Sequence, residues 1–168
     1  PAPVSPALVS PVQEAAALKQ TVQANINDVR RTIFALRPVN LEGLGFATAI
    51  QKYVSEFAEQ TRLEIDVRVE GEMEQIAPVL QPQIFRLIQE GLNNIAKHSK
   101  AKRVEIQLQY GPLEGAVELR IHDDGRGFDV AQIQSGHYGL TIMRERAEAV
   151  GAVLSIESQP GKGVKLAM

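Results

Sequence analysis

Apolar and polar residues alternate along this chain with two different periods. Apolar residues that recur every three or four positions predict amphipathic helices at positions 13–37, 44–60, 78–98 and 139–150. Strict alternation of apolar and polar residues predicts half-buried strands at positions 63–69, 104–110 and 117–122, and two last strands are predicted at about 152–158 and 163–168, joined by a Gly- and Pro-containing turn. Helices interleaved with such strands predict an α+β fold. We expect a two-layer α/β sandwich, with a mixed sheet and its helices on one face, preceded by one long helix.

The first third of the chain predicts two segments ahead of the sandwich. Four of the nine prolines fall within the first eleven residues, so residues 1–12 are predicted to be a linker or a boundary. Residues 13–38 are predicted to be a helix that Pro38 ends, with apolar residues close to a heptad spacing. Such a helix either packs on this protein's own core or forms half of a helical hairpin whose partner lies upstream. The main domain is predicted to occupy residues 39–168.

Composition excludes several classes of function. Of the 168 residues, 44% are hydrophobic and 23% are charged, as in ordinary soluble globular proteins. Lys and Arg number 18 against 20 Asp and Glu, and this net charge of -2 gives no reason to expect a nucleic-acid partner. With no cysteine, the chain has no disulfide, no thiolate nucleophile and no cysteine-ligated zinc. No apolar run approaches the roughly 18 to 20 residues of a membrane helix, so we expect a soluble, cytoplasmic chain.

The helix predicted over 78–98 carries a row of polar side chains. Glu90, Asn94 and Lys97 are spaced i, i+4, i+7 and therefore share one face. A carboxylate and a carboxamide suit a hard divalent cation, which needs only one or two protein oxygens, and a lysine one turn on could neutralise phosphate charge. The alternative is an ordinary solvated helix face. Gly91 lies within the same helix, where it is unfavourable unless it admits a close neighbour.

Two glycine-rich stretches follow the strand predicted over 117–122. Asp123 begins the first, DDGRG, where glycines let the backbone approach a ligand and a carboxylate can accept the exocyclic amine hydrogen of a purine. The alternatives for this stretch are a plain turn and a calcium loop. The second stretch, residues 136–140, opens a helix whose free N–H groups and positive dipole end suit a phosphate.

Taken together, these motifs resemble the ATP-binding domain of sensor histidine kinases, within the superfamily that includes gyrase B, Hsp90 and MutL. The stretch IQEGLNNIAKH at 88–98 resembles the N box of that family, and DDGRGFD at 123–129 resembles its G1 box. The stretch HYGLTIMRERAEAVGAVLSI at 137–156 resembles the G2 region of the NarX/DesK-like subfamily. RRTIFALRP at 30–38 resembles the second helix of that subfamily's dimerisation hairpin. The resemblance covers the chain from about residue 13 onward and implies a Bergerat-type ATP-binding fold.

The resemblance implies ATP and Mg²⁺ as cofactors and assigns roles to the polar row. Asn94 would be the magnesium ligand, and Glu90 would be a nearby carboxylate that orders metal-bound water. Lys97 and His98 would lie beside the phosphates. We therefore expect Glu90, Asn94 and Lys97 to be the catalytic residues.

The resemblance also implies how the rest of the nucleotide is held. Asp123 would bind the adenine amine, residues 126–138 would form a lid, and Ile95 and Ile121 would be candidates for contacts with the base, although core packing suits them better. The full set of expected ATP-binding residues is Asn94, Lys97, His98, Asp123, Gly125, Gly127, Phe128, His137, Tyr138, Gly139, Leu140 and Val164.

Two positions depart from the family's usual pattern. The family commonly has a Gly-Thr pair whose hydroxyl assists adenine binding through water, and here the matching pair is Gly163 and Val164. Valine has no polar side-chain atom, so nucleotide affinity is expected to be lower. Ala152 stands where a second glycine usually follows Gly151.

The resemblance implies a protein-histidine kinase, yet this chain offers no suitable phosphoacceptor. His98 ends the N-box helix, His122 ends a strand within the nucleotide motif, and His137 falls in the lid. We expect the acceptor on a helix ahead of Gln13, so this chain should be inactive alone and a weak dimer or a monomer.

The expected partners are ATP, a second copy through the hairpin of the full-length protein, and a cognate response regulator. The full-length protein could be membrane-attached. Two alternatives stay open at this point. One is another ATPase of the same superfamily, and the other is an interaction module that has lost nucleotide binding, an idea for which Val164 is the support.

Overall fold

The computed structural model describes residues 11–35, 45–111, 116–130 and 138–168. The chain divides into two compact units, Pro1–Arg37 and Pro38–Met168. Among the helices so described, none has the length and apolar character of a membrane-spanning segment. The parts of the predicted linker, hairpin end and lid that fall at 1–10, 36–44 and 131–137 lie outside the described residues.

The first unit is described as one helix, α1, at Pro11–Ala35. It begins two residues before the predicted position, because a proline is well tolerated in the first turn, where its missing N–H has no helical partner. Apolar side chains on α1 are exposed at steps of three and four residues, namely Leu18, Val22, Ile26 and Val29. This stripe is the seam that the sequence pattern predicted for residues 13–38.

The described part of the second unit contains a five-stranded mixed sheet. In chain order its strands are β1 (Glu64–Glu70), β2 (Arg103–Tyr110), β3 (Val117–Asp123), β4 (Ser155–Ser158) and β5 (Val164–Ala167). They lie in the spatial order β1-β2-β3-β5-β4, with β1 and β2 parallel and the other neighbours antiparallel.

Alternation along the strands separates a buried face of the sheet from a solvated one. In β2, Val104, Ile106 and Leu108 are buried, whereas the residues between them are exposed or half-buried. In β1 the charged residues Glu64, Asp66, Arg68 and Glu70 are all exposed. One face is thus free for helices, and the other faces water.

Three helices cover the buried face: α2 (Phe46–Thr61), α3 (Gln81–Asn94) and α4 (Tyr138–Glu148). Arg62 ends α2 in the left-handed conformation, and its N–H donates to the Ala58 carbonyl. The core is filled by apolar side chains from helices and strands, among them Ile50, Val54, Phe57, Leu87, Ile88, Leu92, Ile106, Leu119, Ile121 and Met143. The predicted α+β sandwich is therefore confirmed.

The helix predicted over 78–98 changes its geometry before it ends. The α-helical hydrogen-bond pattern stops at Asn94, and residues Ile95–Ser99 form a π-helical turn. Lys100 then closes the turn in the left-handed conformation, with φ of 57°. A π-helical turn inserts extra residues into a helix and is frequently found at functional sites.

Candidate functional site

A cavity of about 400 Å³ opens between α3, its π-helical turn, the end of β3 and the loop that follows β3. Gly91, Ile95 and Ser99 from the α3 side line it, as do Arg126 from the loop and Leu166 from β5. Several of the residues singled out from the sequence line it too, namely Asn94, His98, Ile121, Asp123, Gly127, Phe128, Leu140 and Val164. The fold thus brings the three separate sequence motifs to one place.

Asp123 supplies the cavity's most distinctive polar group. The residue is 1% exposed, and its Oδ1 accepts a hydrogen bond of 2.8 Å from the Gly125 N–H. Its Oδ2 is buried and has no hydrogen-bond partner among the described residues. Burial raises the pKa of this carboxyl group, while the backbone N–H groups of Gly125 and Val164 and the neighbouring His122 act in the opposite direction. A buried acceptor without a donor at a cavity wall fits a ligand that brings an N–H group.

Glycines around Asp123 let backbone segments pack more closely than side chains would allow. A Cβ on Gly125 would lie 2.5 Å from the Ser99 carbonyl oxygen. Gly127 and Gly163 have φ of 56° and 70°, and a Cβ on either would overlap a backbone oxygen. The backbone itself therefore forms this wall of the cavity. Gly91 on α3 serves packing, because a Cβ there would come within 2.9 Å of the Ile121 side chain.

Ser99 ties the π-helical turn to the loop after β3, a role that the sequence analysis missed. Its carbonyl oxygen accepts from the Arg126 N–H at 2.7 Å, and its hydroxyl donates to the Ile95 carbonyl at 2.9 Å. The same hydroxyl accepts from the Ala101 N–H at 2.9 Å. The sequence carries no local signal for this role, because the partner residue Arg126 lies 27 positions further along the chain.

Asp124, unlike the neighbouring Asp123, binds backbone groups outside the cavity. Its exposed carboxylate accepts hydrogen bonds from the backbone N–H groups of Lys102 and Arg103, at 2.8 and 2.9 Å. These two amides lower the pKa of the Asp124 carboxyl group, because they stabilise its charged form. Asp124 therefore fastens the loop to the start of β2 and does not face the cavity.

Glu90 and Asn94 both lie against the first turn of α4, and of the two only Asn94 lines the cavity. A Cβ on Gly139 would lie 2.8 Å from Glu90 Oε1 and 3.5 Å from Asn94 Oδ1. Both side chains are half-buried, and Asn94 Nδ2 lies 3.8 Å from Met143 Sδ. The amide oxygen of Asn94 and the carboxylate of Glu90 thus both lie close to the first turn of α4.

A cation beside Glu90 and Asn94 would need ligands from outside the protein. No group of three or more His, Cys, Asp or Glu residues in the described part of the chain could hold a metal ion. Magnesium, however, is commonly bound by one or two protein oxygens together with phosphate oxygens and water. Glu90 and Asn94 fit that smaller requirement.

The other residues predicted for the site are exposed, partly committed to the core or outside the described residues. Lys97 and His98 are both exposed on the π-helical turn, and His98 lines the cavity whereas Lys97 does not. Ile95 and Ile121 line the cavity while they are also buried in the core. Tyr138 begins α4, but its side chain and the whole of His137 lie outside the described residues.

The comparisons with known proteins all identify histidine kinases or the family that includes them. The model of the family described as "Histidine kinase-, DNA gyrase B-, and HSP90-like ATPase" matches residues 79–168. The sensor histidine kinase LiaS of Bacillus subtilis is 33% identical over 140 residues, which are 83% of this chain and 38% of that protein. The histidine-protein kinase/phosphatase UhpB of Salmonella typhimurium is 34% identical over 161 residues, 94% of this chain and 31% of that protein. The chain therefore spans less than two-fifths of these relatives.

A solved structure shares the fold. The histidine kinase domain of the blue-light activated histidine kinase EL346 from Erythrobacter litoralis aligns with a TM-score of 0.56 and 18% identity. The alignment covers 95% of this chain and 87% of the other.

Proposed function

Because the chain belongs to the family of histidine kinase-, DNA gyrase B- and HSP90-like ATPases and contains the catalytic domain of a sensor histidine kinase, we propose that its cavity binds ATP with Mg²⁺ for phosphoryl transfer to a histidine. The observation that carries this proposal is the buried Oδ2 of Asp123, a residue that lines the cavity, because no hydrogen bond to this oxygen is found among the described residues. The exocyclic amine of adenine is a donor of the required kind.

We propose that the base lies at the Asp123 end. There Asp123 Oδ2 accepts from the amine, while apolar side chains of Ile95, Phe128 and Leu140 contact the ring. Gly127 lines the cavity directly, whereas Gly125 acts from behind it by letting the loop pack against Ser99. Guanine presents a carbonyl oxygen where adenine has its amine, so the same carboxylate repels it. The cavity therefore selects adenine nucleotides.

The phosphates then lie towards Glu90 and Asn94. When bound, Mg²⁺ neutralises charge on the phosphate oxygens. Asn94 offers its amide oxygen as a ligand, and Glu90 orders water beside it. The N–H groups at the start of α4 donate to phosphate, and the exposed side chains of Lys97 and His98 lie within the same region of the π-helical turn. The protein's contribution is positioning and charge stabilisation, as is usual for phosphoryl transfer.

The phosphoacceptor is proposed to be a histidine outside residues 1–168. Of the two histidines that the structure describes, His98 is exposed but lines the nucleotide cavity itself, and His122 lies within β3, so neither is placed to approach the phosphate of another site. The apolar stripe of α1 suits a helical partner. We propose a homodimer through this helix in the full-length protein, a response regulator as the next partner, and no nucleic acid.

Thermal unfolding with and without nucleotide tests the binding proposal. At about 100 times its dissociation constant, ATP with Mg²⁺ should add roughly 2.7 kcal/mol to the free energy of unfolding, or about 5 to 10 °C in Tm. GTP at the same concentration is the matched control and should give a much smaller shift. No shift with either nucleotide at millimolar concentration would favour the interaction module without nucleotide binding.

Phosphoryl transfer is tested separately. The chain is mixed with γ-labelled ATP, Mg²⁺ and a helical hairpin from a related kinase that carries an acceptor histidine. Acid-labile, alkali-stable label on the hairpin is expected. Release of free phosphate without label on any hairpin would favour an ATPase of the same family.

A further inference from the structure

Ser158, the last residue of β4, joins two walls of the cavity through one hydroxyl group. Its Oγ accepts a hydrogen bond of 2.9 Å from the Phe128 N–H and donates one of 2.8 Å to the Gly163 carbonyl. Phe128 lines the cavity, and Gly163 immediately precedes Val164, which also lines it. Ser158 itself is half-buried and does not line the cavity. Its contacts are therefore with residues that form the site.

Backbone contacts beside Ser158 hold the same two segments at another point. The Gly161 N–H donates to the Arg126 carbonyl at 2.6 Å, and Gly127 lies so close to the Gln159 carbonyl that a Cβ would overlap it. These contacts do not use a side chain, so they remain when Ser158 is replaced. The loop is thus fixed at Arg126 by the backbone and at Phe128 by the serine hydroxyl.

The position of Gly163 extends this connection to the base end of the cavity. A Cβ on Gly163 would overlap the Asp123 carbonyl oxygen, so the two backbones are in close contact. The Ser158 hydroxyl therefore links the Phe128 segment, through Gly163, to the strand that presents the Asp123 carboxylate.

We propose that Ser158 is a positioning residue for nucleotide binding, which holds Phe128 against the turn between β4 and β5 so that the wall beside the base is formed before the nucleotide arrives. The inference rests on the proposed function, since it assigns Phe128 to the base. Without the hydroxyl, the Phe128 segment must be ordered by the nucleotide itself, which weakens binding. The loss of this hydrogen-bonded link is expected to raise the Kd for ADP about three- to tenfold.

Three variants of the whole chain test the proposal by calorimetric titration with ADP. Ser158→Ala should weaken binding by the stated factor, and Ser158→Thr, which keeps the hydroxyl, should restore most of it. Ser155→Ala is the matched control, because Ser155 lies on the same strand and its hydroxyl donates at 3.3 Å to the Ala167 carbonyl, away from the cavity. It should bind ADP as the unaltered protein does. If Ser158→Ala does not fold, Ser158→Cys replaces it, since it keeps the volume and weakens the hydrogen bonds.

Hydrogen exchange at the Phe128 amide separates this proposal from the proposed function. Exchange should be faster in Ser158→Ala than in the unaltered protein, with or without nucleotide, and unchanged in Ser155→Ala. Unaltered ADP affinity in Ser158→Ala, an equal loss in Ser155→Ala, or no rescue by Ser158→Thr would each overturn the positioning role. Absence of ADP binding by the unaltered protein would instead overturn the proposed function, and the exchange rate would still test the link.

Discussion

The site has two regions, one around Asp123 and one around Glu90 and Asn94, and they are built from different parts of the chain. In the Asp123 region, glycines at positive φ bring backbone atoms into contact, and the carboxylate is 1% exposed. In the other region, the side chains of Glu90 and Asn94 are half-buried on one helix, and Lys97 and His98 are exposed. The first region is shaped by the backbone and the second by side chains that can change their rotamers.

This difference indicates that the region around Asp123 recognises the base and that the region around Glu90 and Asn94 serves the reaction. A rigid, buried acceptor discriminates between bases, because a wrong base leaves it unpaired. Half-exposed side chains suit a region where charge and metal ligands change during reaction. Substitutions in the two regions should therefore change different properties, and the predictions that follow test that expectation.

The largest effect is expected for Asp123→Asn. The variant replaces the acceptor at Oδ2 with a group that carries hydrogens of its own, and a hydrogen bond to a charged group contributes about 1.5 to 3 kcal/mol. The Kd for ADP should rise roughly 10- to 100-fold. Titration calorimetry measures it, and Asp124→Asn is the control, because that neighbouring carboxylate binds backbone N–H groups outside the cavity. Equal losses in both variants would contradict the division of labour between the two aspartates.

Nucleotide binding should also depend on pH through Asp123. Burial raises the pKa of this carboxyl group above its ordinary 3.8, and only the charged form accepts freely from the amine. As the pH falls through the raised pKa, the Kd for ADP should increase, by about tenfold per pH unit below it. Asp123→Asn should remove that dependence from binding profiles measured at several pH values.

For the stability of the unliganded protein, the raised pKa of Asp123 has the opposite effect, because here low pH is favourable. A raised pKa in the folded state means that Asp123 contributes stability below pH 3.8. That contribution is lost as the pH rises through the raised pKa. Tm should therefore depend on pH differently in the unaltered protein and in Asp123→Asn. The same dependence in both proteins would count against a raised pKa of Asp123.

Asn94→Ala should weaken the contribution of Mg²⁺ to ADP binding without changing the contacts of the base. Loss of a ligand oxygen should reduce the tightening of ADP by Mg²⁺ about tenfold or more. Without Mg²⁺ the Kd should remain close to that of the unaltered protein. Titrations with and without the metal separate the two effects, and an equal loss in both would place Asn94 at the base.

Asp124→Ala should lower stability without a direct effect on the nucleotide. The variant removes an acceptor from two backbone N–H groups, and because the carboxylate is exposed we expect a loss of about 2 °C in Tm. The pKa of Asp124 is lowered from 3.8, so its contribution is present above that pH and is lost as the pH falls through the lowered pKa. Melting curves of the two proteins should therefore converge in acid.

The smallest effect is expected for Val164→Thr. Val164 pairs with Asp123 across β3 and β5 and lines the cavity. A hydroxyl there adds a polar group beside the carboxylate, and ADP binding should tighten about two- to threefold. Val153→Thr is the control, because Val153 is 84% exposed and does not line the cavity. Identical affinities for all three proteins would show that the valine does not limit binding.

Strands and buried faces were predictable from sequence, because alternation reports burial directly. The same alternation also distinguishes Asp123 from Asp124. Asp123 is in phase with the buried Leu119 and Ile121, whereas Asp124 is one position out of phase. Phase alone therefore separates the buried aspartate from the one that fastens the loop.

Contacts distant in sequence were not predictable. The residues Ile95–Ser99 read as a continuation of α3, but they form a π-helical turn, whose Ser99 is bonded to Arg126. The assumed i, i+7 alignment of Lys97 with Glu90 requires an uninterrupted α-helix, and in the structure the helix becomes π-helical at Ile95, between the two residues. Ser158 was overlooked for the same reason, since a serine before a turn is common and its partner Phe128 lies 30 positions away.

The sheet's outer strands have a consequence for how the protein behaves when concentrated. An uncovered strand can recruit a strand from another molecule, and charge or shortness weakens this tendency. At one margin β1 displays charged side chains at every second position, and at the other margin β4 has only four residues. Neither of these two described strands offers a long apolar template, so we expect the sheet to resist cross-strand aggregation.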